Sequence, residues 1–276
     1  MTLQRKFMKW ILTIVFAALA VCMILPFLWM TSSSFKLQSQ MFQTPIDWIP
    51  NTFHFDSYLE VWAGKYPFGL YYWNSIKITA ISVLGTIATS ALAGFAFAKL
   101  DFRGKEVMFL LYLSTMIIPT QILLVPRFIL FDKLHLVDSH WAIILPGMFS
   151  VLGTFIMRQF FSTLPNEILE AAKVDGAGVF RTFWQVSLPL TKPALVSLLI
   201  LSFTWHWNEY EGPLIFLRTN ELYTLPLALT NFVDENTTNY TAIMAASVSA
   251  LLPLILLVAF FQRWFVEGIA SSAVKG

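Results

Sequence analysis

The run from Trp10 to Phe35 constrains the fold most, because it contains no charged residue. A helix needs about 20 apolar residues to cross the hydrocarbon core of a bilayer. Basic residues precede the run, as in a secretory signal peptide, but the apolar part of such a leader is only about 7–15 residues long. Since this run continues past Pro26 to Met30, we predict a retained transmembrane helix.

Five further segments are long enough to cross a bilayer, and none shows the period-two alternation of a barrel strand. They are residues 78–98, 107–126, 139–157, 193–217 and 241–262. The chain is 57% hydrophobic and only 12% charged, whereas soluble domains carry about 25% charged residues. The sequence therefore predicts an all-α integral membrane protein with six transmembrane helices.

The distribution of lysine and arginine predicts the orientation, because these residues gather in cytoplasmic loops. With the N-terminus inside, twelve of the 18 lysines and arginines lie on the inner side. We therefore predict that both termini and the loop at about 161–191 are cytoplasmic. Segments 36–72 and 218–240 are then external.

The cytoplasmic loop is predicted to form a helix, a glycine turn and a second helix. Glu167 favours the positive end of a helix dipole. Gly176 is able to adopt the left-handed conformation that closes a helix. We expect the second helix to end at Leu188-Pro189 and Lys192-Pro193, because the residue before a proline avoids the α region.

The second of these helices carries three aromatic residues at spacings i, i+3 and i+4, which predicts one apolar face: Phe180, Phe183 and Trp184. A helix that merely floats on lipid usually has a polar face rich in lysine and arginine. The first helix instead carries Glu167 and Glu170 against Lys173. We therefore favour a surface that binds another protein at the membrane face.

Two sequence strings resemble a known family. Glu170-Ala171-Ala172-x-x-Asp175-Gly176-Ala177, followed by Leu188-Pro189-Leu190, is similar to the EAA loop of permeases of binding-protein-dependent ABC importers. The C-terminal strings Gln262-Arg263-Trp264-Phe265-Val266-x-Gly268 and Val274-Lys275-Gly276 resemble the carbohydrate branch, in particular the smaller permease of maltose-type importers.

The resemblance implies a type I ABC importer permease fold and a division into three parts. These are an N-terminal helix with an external segment (1–71), a five-helix transmembrane core (72–265) and a cytoplasmic tail (266–276). It also implies a group of residues that couple to the ATPase: Glu170, Ala171, Ala172, Asp175, Gly176, Ala177, Leu188 and Pro189. In this pattern Glu170 makes the charged contact and Gly176 forms the turn.

The implied partners are two ATP-binding subunits, a second homologous permease, an extracellular or periplasmic solute-binding protein, membrane lipid and a sugar or oligosaccharide. The implied location is the bacterial cytoplasmic (inner) membrane. The chain has no GxxxxGK[ST] motif, so we expect no P-loop ATP site and no enzymatic activity of its own. No cofactor or metal is expected, because the four histidines show no metal-ligand spacing and there is one cysteine. A net charge of +2 gives no indication of nucleic-acid binding.

The fifth predicted span contains candidates for the translocation path: Trp205, Asn208 and Glu209. Ser202, Trp205, Glu209 and Gly212 share one face of a continuous helix, and ionisable groups at membrane depth usually face protein or water. Aromatic rings beside polar groups suit a sugar. A polar helix–helix cluster or an interfacial belt explains the same residues, and we weigh it slightly higher.

The loop before the last span contains candidates for contact with the binding protein, by the same resemblance: Asn231, Asp234, Asn236 and Tyr240. A plain solvated connector is the alternative. For the whole chain we keep three further hypotheses open. These are an importer permease for a non-sugar solute such as glycerol phosphate, a secondary transporter, and a membrane-embedded enzyme.

Overall fold

The computed structural model describes residues 3–233 and 239–273, with side chains for residues 7–233 and 239–264. The described chain is helical and contains no β-strand. Its α-helices are α1 (Leu3–Ser33), α2 (Asp56–Ala63), α3 (Phe68–Lys99), α4 (Lys105–Ser114), α5 (Leu124–Lys133), α6 (Trp141–Gly147), α7 (Val151–Thr163), α8 (Asn166–Val174), α9 (Val179–Arg181), α10 (Leu188–Leu190), α11 (Lys192–Trp207), α12 (Glu211–Phe216), α13 (Leu225–Ala228) and α14 (Tyr240–Ala273). A π-helical stretch, Thr182–Ser187, joins α9 to α10.

Four stretches within the described residues are long and apolar enough to cross a membrane: Phe7–Ser33, Phe68–Lys99, Trp141–Thr163 and Tyr240–Trp264. Two further candidates are helix pairs bent at a short break. The count reaches six when each bent pair is taken as one span. The prediction of an all-helical protein with six spans is therefore confirmed.

The first bent pair, Lys105–Ile117 and Thr120–Lys133, turns by 89° within the span predicted over residues 107–126. Ile118 is extended at φ −76° and ψ 114°, as expected for a residue that precedes a proline. Pro119 continues the extended backbone at ψ 130°. Two successive non-helical residues thus produce the bend.

The second bent pair, Val179–Leu190 and Lys192–Trp207, turns by 79°. The prediction of one helix over residues 193–217 is wrong at its C-terminal end. Helix α11 ends at Trp207, Asn208 closes it, and α12 begins only at Glu211.

The chain forms two compact units. The first comprises residues 1–69 and 228–252. There, Val61 and Phe68 are fully buried, and Trp62 packs edge-on against Phe68 at 5.0 Å between ring centroids. The side chain of Asn239 donates to Glu60 Oε2 at 2.7 Å. These contacts secure α2 and the start of α14 within this unit.

The second unit comprises residues 70–227 and 253–276. One apolar cluster, here called the loop-end core, unites α3, α7, α8, the π-helical stretch and α11: Ala91, Phe95, Met157, Phe161, Leu169, Phe183, Ala194 and Leu198. Gly94 permits the close approach of α3 and α7, because a Cβ atom there would lie 2.6 Å from Met157 Cβ. Through Leu169 and Phe183, the core anchors residues 164–192, which correspond to the loop predicted at about 161–191.

A polar network holds the opposite end of α3 in the same unit, and we call it the far-end network. Asn74 donates from Nδ2 to the carbonyl oxygens of Glu221, at 2.8 Å, and Tyr223, at 3.1 Å. The backbone N–H of Leu225 donates to Ser75 Oγ at 2.7 Å. The network thereby attaches the 218–225 segment, which contains a short 3-10 helix at Asn220–Leu222, to the bundle.

Candidate functional site

Helix α8 is fixed at its start by a lysine from α3. Lys99 Nζ donates to the carbonyl oxygen of Leu164 and to Asn166 Oδ1, both at 2.7 Å. Leu169 then inserts into the loop-end core and is 7% exposed. From the sequence, Lys99 is one of the twelve basic residues predicted on the inner side. Its contact to residue 164 lies far along the chain, so no local pattern indicated it.

The turn after α8 has the predicted left-handed glycine. Gly176 has φ +81°. Its N–H donates to the carbonyl oxygen of Lys173 at 3.0 Å, while the N–H of Ala177 donates to that of Ala172 at 2.9 Å. These two bonds satisfy carbonyl groups that the last turn of a helix leaves open. The glycine therefore sets the angle between the two halves of the loop.

The second helical segment differs from its prediction in two ways. It runs through Leu188 and Pro189 to Leu190, and its middle part is π-helical. The π-helical turn removes the conflict with Pro189, which lacks the N–H of a regular helical residue. The expected single aromatic face is also divided. Phe183 is buried in the loop-end core, whereas Phe180 and Trp184 are 70% and 59% exposed.

The predicted coupling residues lie on a surface open to its surroundings, and we call it the loop surface. Five of them are exposed: Glu170, Ala171, Asp175, Gly176 and Pro189. The other three are partly buried: Ala172, Ala177 and Leu188. Val174 is 88% exposed between them. Among the described residues Glu170 takes part in no ion pair. An apolar patch with a free carboxylate at its edge is chemically suited to bind a protein surface.

The translocation candidates do not share one helical face. Ser202 is buried on α11 and Trp205 is 73% exposed, while Glu209 lies beyond the end of that helix. Asn208 Nδ2 donates back to the carbonyl oxygen of Thr204 at 2.8 Å. The argument from helical periodicity is therefore wrong, because the helix stops two residues before Glu209.

Glu209 has a local structural role that the sequence did not indicate. Its Oε1 accepts the N–H of Gly212 in the first turn of α12 at 2.7 Å. A carboxylate in this place satisfies an open N–H group and lies at the positive end of the helix dipole. The second carboxylate oxygen remains available.

Only two of the four candidates for contact with the binding protein lie within the described residues. Asp234 and Asn236 lie outside the described residues. Asn231 is partly buried, and Tyr240 is 41% exposed with its ring edge-on to Phe42 at 5.3 Å. Within the described residues, no group of three or more His, Cys, Asp or Glu side chains is arranged to hold a metal ion.

Comparison with known proteins defines the class. Residues 87–271 match the model of the binding-protein-dependent transport system inner membrane component family. This match covers the loop surface and more than half of the chain, so the chain belongs to that family.

Individual relatives support the same assignment along the full length. An arabinooligosaccharide transport system permease of Halalkalibacterium halodurans is 34% identical over 98% of this chain and 97% of its own. An sn-glycerol-3-phosphate transport system permease of Yersinia pestis is 34% identical over 85% of this chain and 86% of its own. In the crystal structure of a bacterial ABC transporter for alginate import, one chain superposes with a TM-score of 0.85 at 23% identity, covering 96% of this chain and 99% of that one. This last comparison shows the fold.

Proposed function

We propose that this chain is a permease subunit of a bacterial ATP-driven sugar importer and forms half of its translocation pathway. The family supplies the class of transport system. The sugar substrate is supported by the arabinooligosaccharide relative, whose match extends over 98% of this chain. The glycerol-phosphate relative has the same identity over 85%, so a glycerol-phosphate importer is the second candidate.

The open loop surface is the observation that carries the coupling role. Leu169 and Phe183 anchor the loop by packing into the loop-end core, while Glu170, Val174 and Phe180 are exposed on its other side. An apolar surface that is supported by buried side chains and has no partner among the described residues is suited to transmit a push from a docked subunit. Two separate ATPase subunits supply the energy, because the chain has no P-loop.

The remaining partners and the orientation complete the proposal. A second homologous permease supplies the other half of the pathway, and an external binding protein delivers the solute to the side opposite the loop surface. Both termini and the loop surface face the cytoplasm of an inner-membrane protein. The excess of lysine and arginine on that side supports this orientation.

A charge reversal at Glu170 tests the coupling role. We expect Glu170→Lys to insert normally but to lose co-purification with the ATPase subunits and sugar uptake. Glu221→Lys is the matched control, because Glu221 is also an exposed glutamate but lies in the far-end network and contributes only its carbonyl oxygen there. Full ATPase binding and normal uptake by Glu170→Lys would rule out the role.

The solute class is tested with the wild-type importer. Cells that contain the complete system receive labelled arabinotriose in one arm and labelled sn-glycerol-3-phosphate in the other. Uptake of the trisaccharide supports the sugar assignment. Uptake of glycerol phosphate alone establishes the second candidate instead.

A further inference from the structure

A charged cluster lies where the broken third span meets α12. The guanidinium carbon of Arg127 lies 4.9 Å from the ring centroid of Phe216, whose side chain is fully buried. The Nε atom of Arg127 is buried and has no hydrogen-bond partner among the described residues. Packing on the ring therefore holds this cation, and its donor groups make no hydrogen bond to the part of the chain that the structure describes.

Two glutamates lie within electrostatic reach of this cation. Glu209 and Glu211 both act on Arg127, but neither forms an ion pair with it in the described structure. Glu209 uses one carboxylate oxygen on Gly212 and keeps the other. Glu211 is exposed in the first turn of α12. Arg127 thus packs on α12, near whose start both glutamates lie, and among the described residues neither its guanidinium nor the second Glu209 oxygen has a hydrogen-bond partner.

The position of Arg127 makes a purely structural role costly. It lies in the bent pair that counts among the apolar membrane-crossing candidates. A charged side chain in such a segment is unfavourable unless it faces protein partners or an aqueous path. Within the described residues, Arg127 packs on an aromatic ring and has no direct polar partner, so its donors are available to a ligand.

Resting on the sugar-importer function proposed above, we propose that Arg127, Glu209 and Glu211 form a solute contact that selects neutral polyhydroxylated molecules against anionic ones. Guanidinium donates to hydroxyl oxygens, and carboxylates accept from hydroxyl groups. One positive and two negative charges leave the cluster net negative. A phosphate or carboxylate solute is attracted by Arg127 but repelled by both Glu209 and Glu211. The cluster therefore discriminates against anionic solutes by charge repulsion.

A second arginine in the same region provides the matched control. Arg218 lies 5.8 Å above the ring of Phe128, and Phe128 stacks on Phe216. Its electrostatic partner is Asp138, outside the Arg127 cluster. Arg218→Gln therefore removes a ring-packed guanidinium nearby without altering the proposed contact.

The test uses the complete importer in proteoliposomes, with the binding protein saturated by labelled arabinotriose, and records transport and ATP hydrolysis together. We expect Arg127→Gln to lower the transport rate about tenfold, the effect of losing one hydrogen bond to a charged group. Hydrolysis should continue, so the ratio of ATP to solute rises. Arg127→Lys, which keeps the charge, should recover part of the rate, and Arg218→Gln should match wild type.

A charge test addresses the selection itself. Tri-galacturonate added to the assay should leave wild-type transport unchanged and should inhibit the Glu209→Gln, Glu211→Gln double variant. The amide side chain that replaces Glu209 still has a carbonyl oxygen to accept the N–H of Gly212. Equal inhibition of both proteins overturns the selection.

Two other results also overturn the inference. Wild-type transport and ATP-to-solute ratio in Arg127→Gln exclude a solute contact at Arg127. Parallel loss of assembly, hydrolysis and transport in both Arg127→Gln and Arg127→Lys shows a structural role. In each case wild-type uptake of the trisaccharide still supports the sugar-importer function. If the wild-type importer transports glycerol phosphate but no trisaccharide, the sugar-importer function itself is rejected, whatever the Arg127 variants show.

Discussion

Different interactions stabilise the two ends of the second unit: apolar packing at one end and hydrogen bonds at the other. At one end, the 164–192 loop rests on apolar side chains, chiefly Leu169 and Phe183 in the loop-end core. At the other, Asn74 and Ser75 fix the 218–225 segment through buried hydrogen bonds. At the far end, the buried polar groups of Asn74 and Ser75 bond to other groups of this chain. On the loop surface, by contrast, Glu170 has no ion-pair partner among the described residues.

This contrast separates the far-end network, which we expect to be structural, from the loop surface, for which we propose a coupling role. Buried hydrogen bonds hold a segment in one geometry, and losing one partner leaves the other unsatisfied. The 164–192 loop instead rests mainly on apolar side chains, while its exposed side carries the predicted coupling residues. Substitutions at the loop surface should therefore affect coupling more than stability, and substitutions in the far-end network should do the opposite.

The largest expected effect is at Gly176. Proline fixes φ near −65° and has no N–H, so it cannot adopt φ +81° or donate to Lys173. We expect Gly176→Pro to abolish uptake while membrane insertion persists, as measured by transport in cells and by the amount of protein in membranes. Gly178→Ala is the control, since Gly178 has φ −68° and open space where a Cβ atom would lie. Normal uptake by Gly176→Pro would remove the turn from the coupling mechanism.

Truncation of the support beneath the loop should affect stability and coupling together. Leu169→Ala opens a cavity in the loop-end core, and such truncations cost about 2–5 kcal/mol in protein cores. We expect a lower melting temperature of the purified importer and reduced uptake. Val174→Ala changes a side chain that is 88% exposed, so its melting temperature should stay close to wild type. Equal melting temperatures for the two variants would show that the loop does not depend on this core.

The sequence was informative where local chemistry decides the structure. The first loop helix and its left-handed Gly176 were predicted because capping signals and glycine geometry act over a few residues. The six apolar segments were found because the bilayer sets their length. The length and apolar character of the segment 107–126 did not give the 89° bend within it.

The features that sequence analysis missed depend on contacts between distant segments. Lys99 binds Leu164 and Asn166 across the fold. Arg127 is separated by about eighty residues from the glutamates that act on it. The end of α11 at Trp207 likewise interrupts the span predicted over residues 193–217. Hydrophobic periodicity indicates which residues are buried, but it does not indicate which distant residues they contact.

A smaller effect is expected in the far-end network. Asn74 is 3% exposed and bonds two carbonyl groups of the 218–225 segment. Asn74→Ala leaves these acceptors unsatisfied, which costs about 1–3 kcal/mol. We expect a lower melting temperature of the importer but nearly normal ATP-to-solute stoichiometry. Asn51→Ala, at an exposed asparagine, is the control. A change in stoichiometry without loss of stability would contradict the division between the two ends.

The smallest expected effect is the pH dependence of the Asp138 contacts, which join residues 138 and 218–219. Asp138 Oδ1 accepts the N–H groups of Arg218 and Thr219 at 2.8 and 2.9 Å, and the hydroxyl of Thr219 donates to Oδ2. These bonds, led by those from Thr219, lower the pKa of the Asp138 carboxyl below its ordinary value of 3.8. The stabilisation is therefore fully present above that ordinary value and is lost as the pH falls through the lowered pKa.

Asp138→Asn isolates this contribution, because Asp138 has φ +60° and asparagine tolerates the left-handed region as well as aspartate does. We expect the variant to melt slightly below wild type at pH 7, and the difference to shrink below about pH 4, where aspartate becomes protonated. Melting curves of both proteins at matched pH values measure it. A difference that stays constant down to about pH 3 would mean that the bonds do not favour the ionised carboxylate.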